Sequence, residues 1–440
     1  MSLSGHGLTP RLKPLSARKS AILSVLDVGT SKVVCVVAEL RPADEVESLR
    51  SRTHVARILG IGHQRSVGLK GGVVVDLEAA ESAIRQAVHA AERMAKVEIQ
   101  SVIVNLTGGR LASEHFEAHV PVRGAVGSGD VHRVLDAASS YDLRRGRTVL
   151  HALPTGFSLD AQNHIVDPAG MIGERLGADL HVVTSEAAAA RNLMLAVERC
   201  HLGVEAVIAT PYAAGLSALV DDEADMGCAV VDMGGGTTSV GIFSNGHLVH
   251  SDAIAVGGHH VTMDIARGLT TRVSAAERLK TFYGSAIASS ADDRDMIAVP
   301  QVDEDERDVP NHLPKSHLVR IIKPRVEEVL ELVRDRLKGA GFAAQAGRRV
   351  VLTGGASQLV GLPETARRIL QGQVRVGRPL GIKGLPEAAK GPAFSAVVGL
   401  LVYPQVAHIE YFEPQSSGLF QSTGTDGYFS RVGRWIRDSF

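Results

Sequence analysis

The stretch 228-CAVVDMGGGTTSVGIF-243 decides how the rest of the chain reads. Cys228, Ala229, Val230 and Val231 form an apolar run of the kind that fills a buried strand. The run ends in Asp232, turns through Gly234, Gly235, Gly236 and Thr237, and returns through Val240 to Phe243. A strand, a glycine turn and a second strand make a hairpin whose tip lets backbone N–H groups approach an anion closely. The hydroxyls of Thr237, Thr238 and Ser239 add donors for phosphate oxygens, and Asp232 is placed to hold a magnesium ion through water. Taken alone the signal is modest, because most glycine hairpins only turn the chain.

The device is repeated. In 23-LSVLDVGTSKVVCVVAE-39 an apolar strand ends in Asp27, turns at Gly29, Thr30, Ser31 and Lys32, and returns through Val33 to Val37. A third glycine turn follows a strand in 349-RVVLTGGASQLVGL-362, at Gly354, Gly355 and Ala356. Repetition of this kind points to two related half-molecules facing across one ligand. In order and spacing the trio resembles the phosphate-1, phosphate-2 and adenosine motifs of the superfamily that joins actin, heat-shock chaperones and sugar kinases. The resemblance implies an α/β, actin-like two-lobed ATPase fold with duplicated mixed sheets.

Composition sets outer bounds. With 440 residues, 45% of them hydrophobic, and 46 glycines, the chain can bury a large core spread over two lobes or more. A formal charge of −1 gives no global field toward nucleic acid, so no nucleic-acid partner is expected and any attraction to a membrane must be local. Cys35, Cys200 and Cys228 are widely spaced in apolar contexts, as reduced core thiols in the cytosol would be. Met1 to Lys19 is polar and basic and is expected to be a disordered arm (residues 1–20) rather than a signal peptide.

Between the hairpins, Leu77, Ala80, Ile84, Ala87, Val88 and Ala91 recur at helical spacing behind Asp76, a good N-cap. The segment 101-SVIVNLTGGRLASEHFEAHVPV-122 reads as a strand, a turn and an alternating strand, which separates His115 from His119 and argues against a metal. With a helix capped by Asp130 and strands near 148–160 and 178–186, residues 101–183 read as a compact α+β insertion. In 274-SAAERLKTFYG-284, Ser274 and Glu277 have capping-box spacing, so a structural reading of Glu277 and Lys280 stands beside any functional one. The acidic stretch 291–310 lacks EF-hand spacing and is expected to be a solvated loop. Val326, Val329, Leu330, Val333 and Leu337 share one face of a core helix, and 393-AFSAVVGLLVY-403 forms another, rich in small residues.

The end of the chain has a different character. Residues 413–427 are linker-like, and 428-YFSRVGRWIRDSF-440 closes the sequence. At about 100° per residue, Phe429, Val432, Trp435, Ile436 and Phe440 fill one arc of a helix and Arg431, Arg434 and Arg437 another. That division makes an interfacial helix on anionic lipid; the competing reading is a terminal helix docked on its own globule. A single helix of this length binds weakly, and self-association would multiply its avidity.

Together these parts resemble the bacterial cell-division FtsA family over roughly residues 21–412 and the tail. The insertion is similar to that family's 1C subdomain, 196-AVERCHLGVEAVIATPYAAGLSAL-219 to its connecting segment, and 428–440 to its membrane-targeting helix. The resemblance implies a first lobe at 21–100, 184–215 and 393–412, a second at 216–256 and 320–392, and a 2B-like subdomain at 257–319. It implies ATP between the lobes, met by Gly29, Thr30, Ser31 and Lys32 on one side and Gly234, Gly235, Gly236 and Thr237 on the other. Glu277 and Lys280 would lie near ribose and adenine, Gly354, Gly355 and Ala356 behind the adenosine, and Asp27 and Asp232 around water-mediated Mg2+. The implied role is to tether FtsZ filaments, through the FtsZ C-terminal peptide on the 2B-like subdomain, to the inner face of the cytoplasmic membrane at the division site. Self-association through the 1C-like subdomain and recruitment of later division proteins are implied with it.

The sequence departs from the pattern in the basic arm and the acidic loop, to which no role is assigned. No glutamine is evident where actin positions the attacking water; Glu205 is the nearest carboxylate, so hydrolysis is expected to be slow or incidental. Two rivals share the fold: a PilM-like pilus-assembly ATPase, which would lack the lipid-binding helix, and a small-molecule kinase, which would leave the tail unexplained. A chaperone is disfavoured because no substrate-binding β domain follows the lobes.

Overall fold

A computed structural model of the chain describes residues 12, 15–16, 18–43, 52–302, 311–342 and 348–411. The expected membrane helix (428–440), its linker and residues 303–310 of the acidic stretch lie outside the described residues.

The chain opens with an antiparallel meander, β1 (Ala21–Val28), β2 (Lys32–Pro42) and β3 (His54–Arg65). A short hairpin, β4 (Leu69–Lys70) and β5 (Val73–Val74), leads to α1 (Leu77–Ala95) and β6 (Ser101–Leu106). A separate sheet follows, built from β7 (Ala112–Ala125), β8 (Arg147–Leu159), β9 (Gln162–Ile165) and β10 (Ile172–Glu186), with α2 (Ser128–Ser139) packed on it. After α3 (Ala187–Glu198), β11 (Gly203–Ala209) rejoins the first sheet, and α4 (Thr210–Ala218) and α5 (Asp221–Met226) cross to the second half. There β12 (Cys228–Met233), β13 (Thr238–Ser244) and β14 (His247–Ile254) form a second meander. Next come α6 (Gly258–Gly268), α7 (Val273–Tyr283), the hairpin β15 (Met296–Val299) and β16 (Asn311–Pro314), and α8 (Lys315–Gly339). Last are β17 (Arg349–Thr353), α9 (Leu362–Leu370), β18 (Gln373–Val376), β19 (Ile382–Lys383) and α10 (Ser395–Val406).

The two large sheets repeat one plan. The first runs β11-β6-β1-β2-β3-β19 and the second β14-β13-β12-β17-β18. In each, the opening strand pairs antiparallel with its hairpin partner and parallel with the fourth strand of its half. The duplication read from the glycine hairpins is therefore a duplication of topology. The inserted sheet enters between the fourth and fifth strands of the first half.

Small residues set the close packing. A Cβ on Gly62 would stand 1.8 Å from Ala87 O, so α1, capped by Asp76 as expected, lies directly on β3. A Cβ on Gly399 would meet Ala213 O at 1.7 Å, and one on Gly215 would meet Phe243 Cζ at 2.1 Å. Helix α4 is thus clamped between α10 and the second sheet. Helix α10 is apolar and every residue of it is buried; the stretch Pro392–Ile409 around it is long and apolar enough to cross a membrane, but it packs as core.

Several expectations need correction. Strand β6 hydrogen-bonds between β1 and β11, so the inserted sheet begins at Ala112, not at 101. Strand β19 pairs with β3, and Leu385 and Ala389 join the first core, which returns that stretch to the first lobe. Helix α2 is capped by Gly127; Asp130 sits inside its first turn, with Oδ2 accepting from Gly127 N at 2.9 Å. The capping box at Ser274 does not form, because α7 starts at Val273 behind Arg272. The acidic stretch is not wholly a solvated loop: β15 lies in it, and buried Asp292 accepts from Ser289 N at 2.7 Å and pairs with Lys315 at 3.0 Å. In the arm, Leu12 and Leu15 pack against the first core, and Leu15 N donates to Pro404 O at 3.4 Å.

Candidate functional site

Both Asp-bearing strands end at one place because the two halves share one topology, and each Asp precedes a glycine turn. Gly29 N donates to Lys32 O at 3.0 Å and Gly234 N to Thr237 O at 2.9 Å, closing two equivalent hairpin turns. The tips face each other. A Cβ on Gly236 would stand 2.4 Å from Thr30 Oγ1, and one on Gly235 would stand 2.9 Å from Ser31 Cβ. Thr30 Oγ1 also accepts from Gly72 N at 3.1 Å, which ties the first turn to the β4–β5 hairpin.

The third turn closes the other side. Gly354 has φ +84°, and a Cβ on it would lie 2.2 Å from Asp232 Oδ1. Ala356 abuts Gly258 at the start of α6, and the first amides of α6 hold the second turn: Gly258 N donates to Gly234 O at 2.9 Å and His259 N to Gly235 O at 2.7 Å. Lys280 Nζ donates to Gly258 O (3.1 Å), Thr262 Oγ1 (2.8 Å) and Glu277 Oε2 (2.7 Å), and Thr262 donates to Glu277 at 2.5 Å. Burial alone would raise the Glu277 pKa, but the hydrogen bonds from Lys280 and Thr262 hold it below the usual range. Glu277 and Lys280 therefore pair along α7 and together hold Thr262 and Gly258 O of α6.

The electrostatics are those of a crowded anionic site. Burial raises the pKa of Asp27 against the pull of Lys32 and Asn105. Burial and the neighbouring Asp27 push Asp232 up to about 7. Burial lowers Lys32, which both carboxylates partly restore. Lys32 Nζ donates to Ala393 O at 2.5 Å and stands 3.6 Å from the centre of the Phe394 ring. Two buried carboxylates, one from each half, thus share a single nearby lysine. The donor set fits a divalent cation, which would supply the missing positive charge, and the glycine turns with their Thr30, Ser31 and Thr237 hydroxyls fit a polyphosphate.

Two assignments change. Thr238 and Ser239 lie in β13 and are fully buried; Thr238 Oγ1 donates to Val256 O at 2.8 Å, so of the three hydroxyls only Thr237 stands in the turn. Glu205 hydrogen-bonds to Ser101 at the opposite end of β11 from Thr210, and its pKa is raised by burial. It is remote from Asp27. The residues that do reach Asp27 escaped the sequence reading. Asn105 Nδ2 donates to Asp27 Oδ1 (2.7 Å) and Thr210 Oγ1 (3.0 Å), its Oδ1 accepts from Val28 N (3.1 Å), and Thr107 and Thr210 hydroxyls lie 2.6 Å apart. A lone Asn in the apolar strand 101–106 was the available signal.

Duplicated sheets, paired hairpins and an inserted sheet define an actin-like two-lobed protein. One solved structure that shares the fold is the PilM-PilN type IV pilus biogenesis complex, at TM-score 0.60 and 16% identity, covering 88% of this chain and 99% of that one. Sequence comparison is narrower. The family model for Cell division protein FtsA matches residues 229–399, and that for the SHS2 domain inserted in FtsA matches 108–184. Cell division protein FtsA of Rhizobium meliloti is 54% identical over 444 residues, covering 100% of both chains. FtsA of Agrobacterium fabrum is 55% identical over 439 residues, covering 99% of each. The chain belongs to the FtsA family of cell division proteins.

Proposed function

We propose that this chain binds ATP with Mg2+ between its lobes and tethers FtsZ filaments to the inner face of the cytoplasmic membrane during division. Self-association through the inserted subdomain and recruitment of later division proteins belong to the same reading. The observation that carries it is similarity to FtsA chains along the whole length, including the insertion and the terminal stretch.

Within that role, Gly29 to Lys32 and Gly234 to Thr237 hold the phosphates, Asp27 and Asp232 hold the magnesium through water, and Gly354 to Ala356 back the adenosine. Glu277 and Lys280 flank the ribose and adenine. Residues of both halves would meet one ligand, so contacts that differ between open and closed states would favour lobe closure; turnover would be slow, since Asp27 and Asp232 would hold the magnesium and Glu205 is tied to Ser101, away from them. Phe429, Trp435, Ile436 and Phe440 enter anionic lipid while Arg431, Arg434 and Arg437 meet its headgroups.

A surface pocket of about 480 Å³ supports the FtsZ contact. Exposed Phe282, Tyr283 and Met296 line it with Val360, together with Arg294, Asp295 and Lys315, the last paired with Asp292. Exposed apolar anchors with the Arg294 guanidinium beside them suit a short peptide carrying apolar residues and a carboxylate. Titrating labelled FtsZ C-terminal peptide into Phe282→Ala/Met296→Ala should weaken binding by about thirtyfold. Unchanged affinity would remove the pocket from the proposal.

A further inference from the structure

Glu410 and Tyr411, the last described residues, are stitched into the inserted sheet. His151 on β8 and the Glu410 side chain are buried, at 0% and 1% exposure, with Nδ1 2.8 Å from Oε1. Ala209 N donates to His151 Nε2 at 2.9 Å, so Nε2 is the acceptor and Nδ1–H donates to Glu410 Oε1. Tyr212 and Tyr403 wall in the imidazole, with ring centres 5.0 and 5.9 Å away. Tyr411 adds two bonds, from its N to Ala152 O at 2.8 Å and from its hydroxyl to Asp136 Oδ1 at 2.5 Å.

One feature makes this strap unlike ordinary packing. Glu410 Oε2 is buried with no hydrogen-bond partner. A half-satisfied buried carboxylate is held at a penalty, and an undocked arrangement in which water meets both oxygens competes with it.

His151 also touches the strand that ends in the cleft. Ala209 is followed by Thr210, whose Oγ1 accepts from Asn105 Nδ2, and the same amide donates to Asp27 Oδ1. We propose that His151 couples the phosphate cleft to the chain's C-terminal exit: a magnesium–nucleotide that engages Asp27 draws it from Asn105, shifts the end of β11, and releases Glu410 and Tyr411 from the inserted sheet. The inference rests on the nucleotide reading above. The element with two states is the strap 407–411, and both ends bias it, which is what coupling requires. Released, the strap frees the inserted sheet to reorient.

Hydrogen exchange of peptides spanning 403–411 in the full chain, with and without Mg-ATP, tests it, alongside calorimetric titration of Mg-ATP. Mg-ATP should lower protection of the strap about fivefold in the native chain. Glu410→Ala should abolish that difference and, by reciprocity, bind Mg-ATP tighter by the same factor. Glu410→Gln, which keeps an acceptor for His151 Nδ1–H, should retain the difference, and it serves if the alanine variant fails to fold. Measurable Mg-ATP binding with unchanged or increased strap protection would overturn the coupling alone. No Mg-ATP binding by the native chain would overturn the nucleotide reading and the coupling with it.

Discussion

Gly354 lies against Asp232: a Cβ on Gly354 would stand 2.2 Å from Asp232 Oδ1 and 2.5 Å from Met233 O, at a backbone φ of +84° that L side chains rarely adopt. The turn assigned to the adenosine therefore braces the carboxylate assigned to the magnesium. Gly354→Ala meets both backbone strain and a clash with main chain that cannot rotate away. It should destabilise the protein by roughly 2 kcal/mol or more in denaturant unfolding and weaken Mg-ATP binding beyond detection. Native-like stability would show that the turn is not held as described.

Asp232 predicts a pH dependence of known sign. Its pKa is raised on folding to about 7, so the folded state binds a proton that the unfolded state releases. Stability from this group is complete at low pH and is lost as pH rises from the unfolded value through about 7, by up to about 1.4 kcal/mol per unit. Without ligand, Asp232→Asn should unfold at a higher temperature than the native chain at pH 8 and show a smaller gap at pH 5. The same variant should lose Mg-ATP binding. A gap that widens as pH falls would contradict the assignment.

Asn105 and Glu205 separate the cleft from the rest of the first sheet. Asn105→Ala leaves Asp27, Val28 N and Thr210 short of partners and should weaken Mg-ATP binding about tenfold or more. Glu205→Gln, which keeps an acceptor for Ser101 at the far end of β11, should change neither affinity nor ATP turnover by more than about twofold. Loss of turnover in the second variant alone would restore Glu205 as the carboxylate that acts on water.

The hairpins were legible because an apolar strand, an Asp and a glycine turn are all local signals, and the topology repeats because the signals do. Pairing is not local. Strand β6 runs continuously in sequence into the turn before β7, and only its hydrogen bonds to β1 and β11 assign it to the first sheet. Thr238 and Ser239 looked like turn residues because Thr and Ser follow the glycines, yet the strand resumes at Thr238 and buries them. Asn105 reaches Asp27 from strand β6, and Thr210 at the start of α4 reaches Asn105 in turn; only the fold brings these distant positions together. Leu12 and Leu15 were masked by the basic residues around them, although each packs on the first core.

The central claim is that this chain holds FtsZ at a lipid surface. Its most direct test is flotation of FtsZ with anionic vesicles in the presence of Mg-ATP and either the full chain, Trp435→Glu, or the chain truncated after Gly427. FtsZ should float with the full chain and remain at the bottom with both variants, while their affinity for the FtsZ peptide stays unchanged. Flotation of FtsZ by all three alike, or by none, would contradict the account.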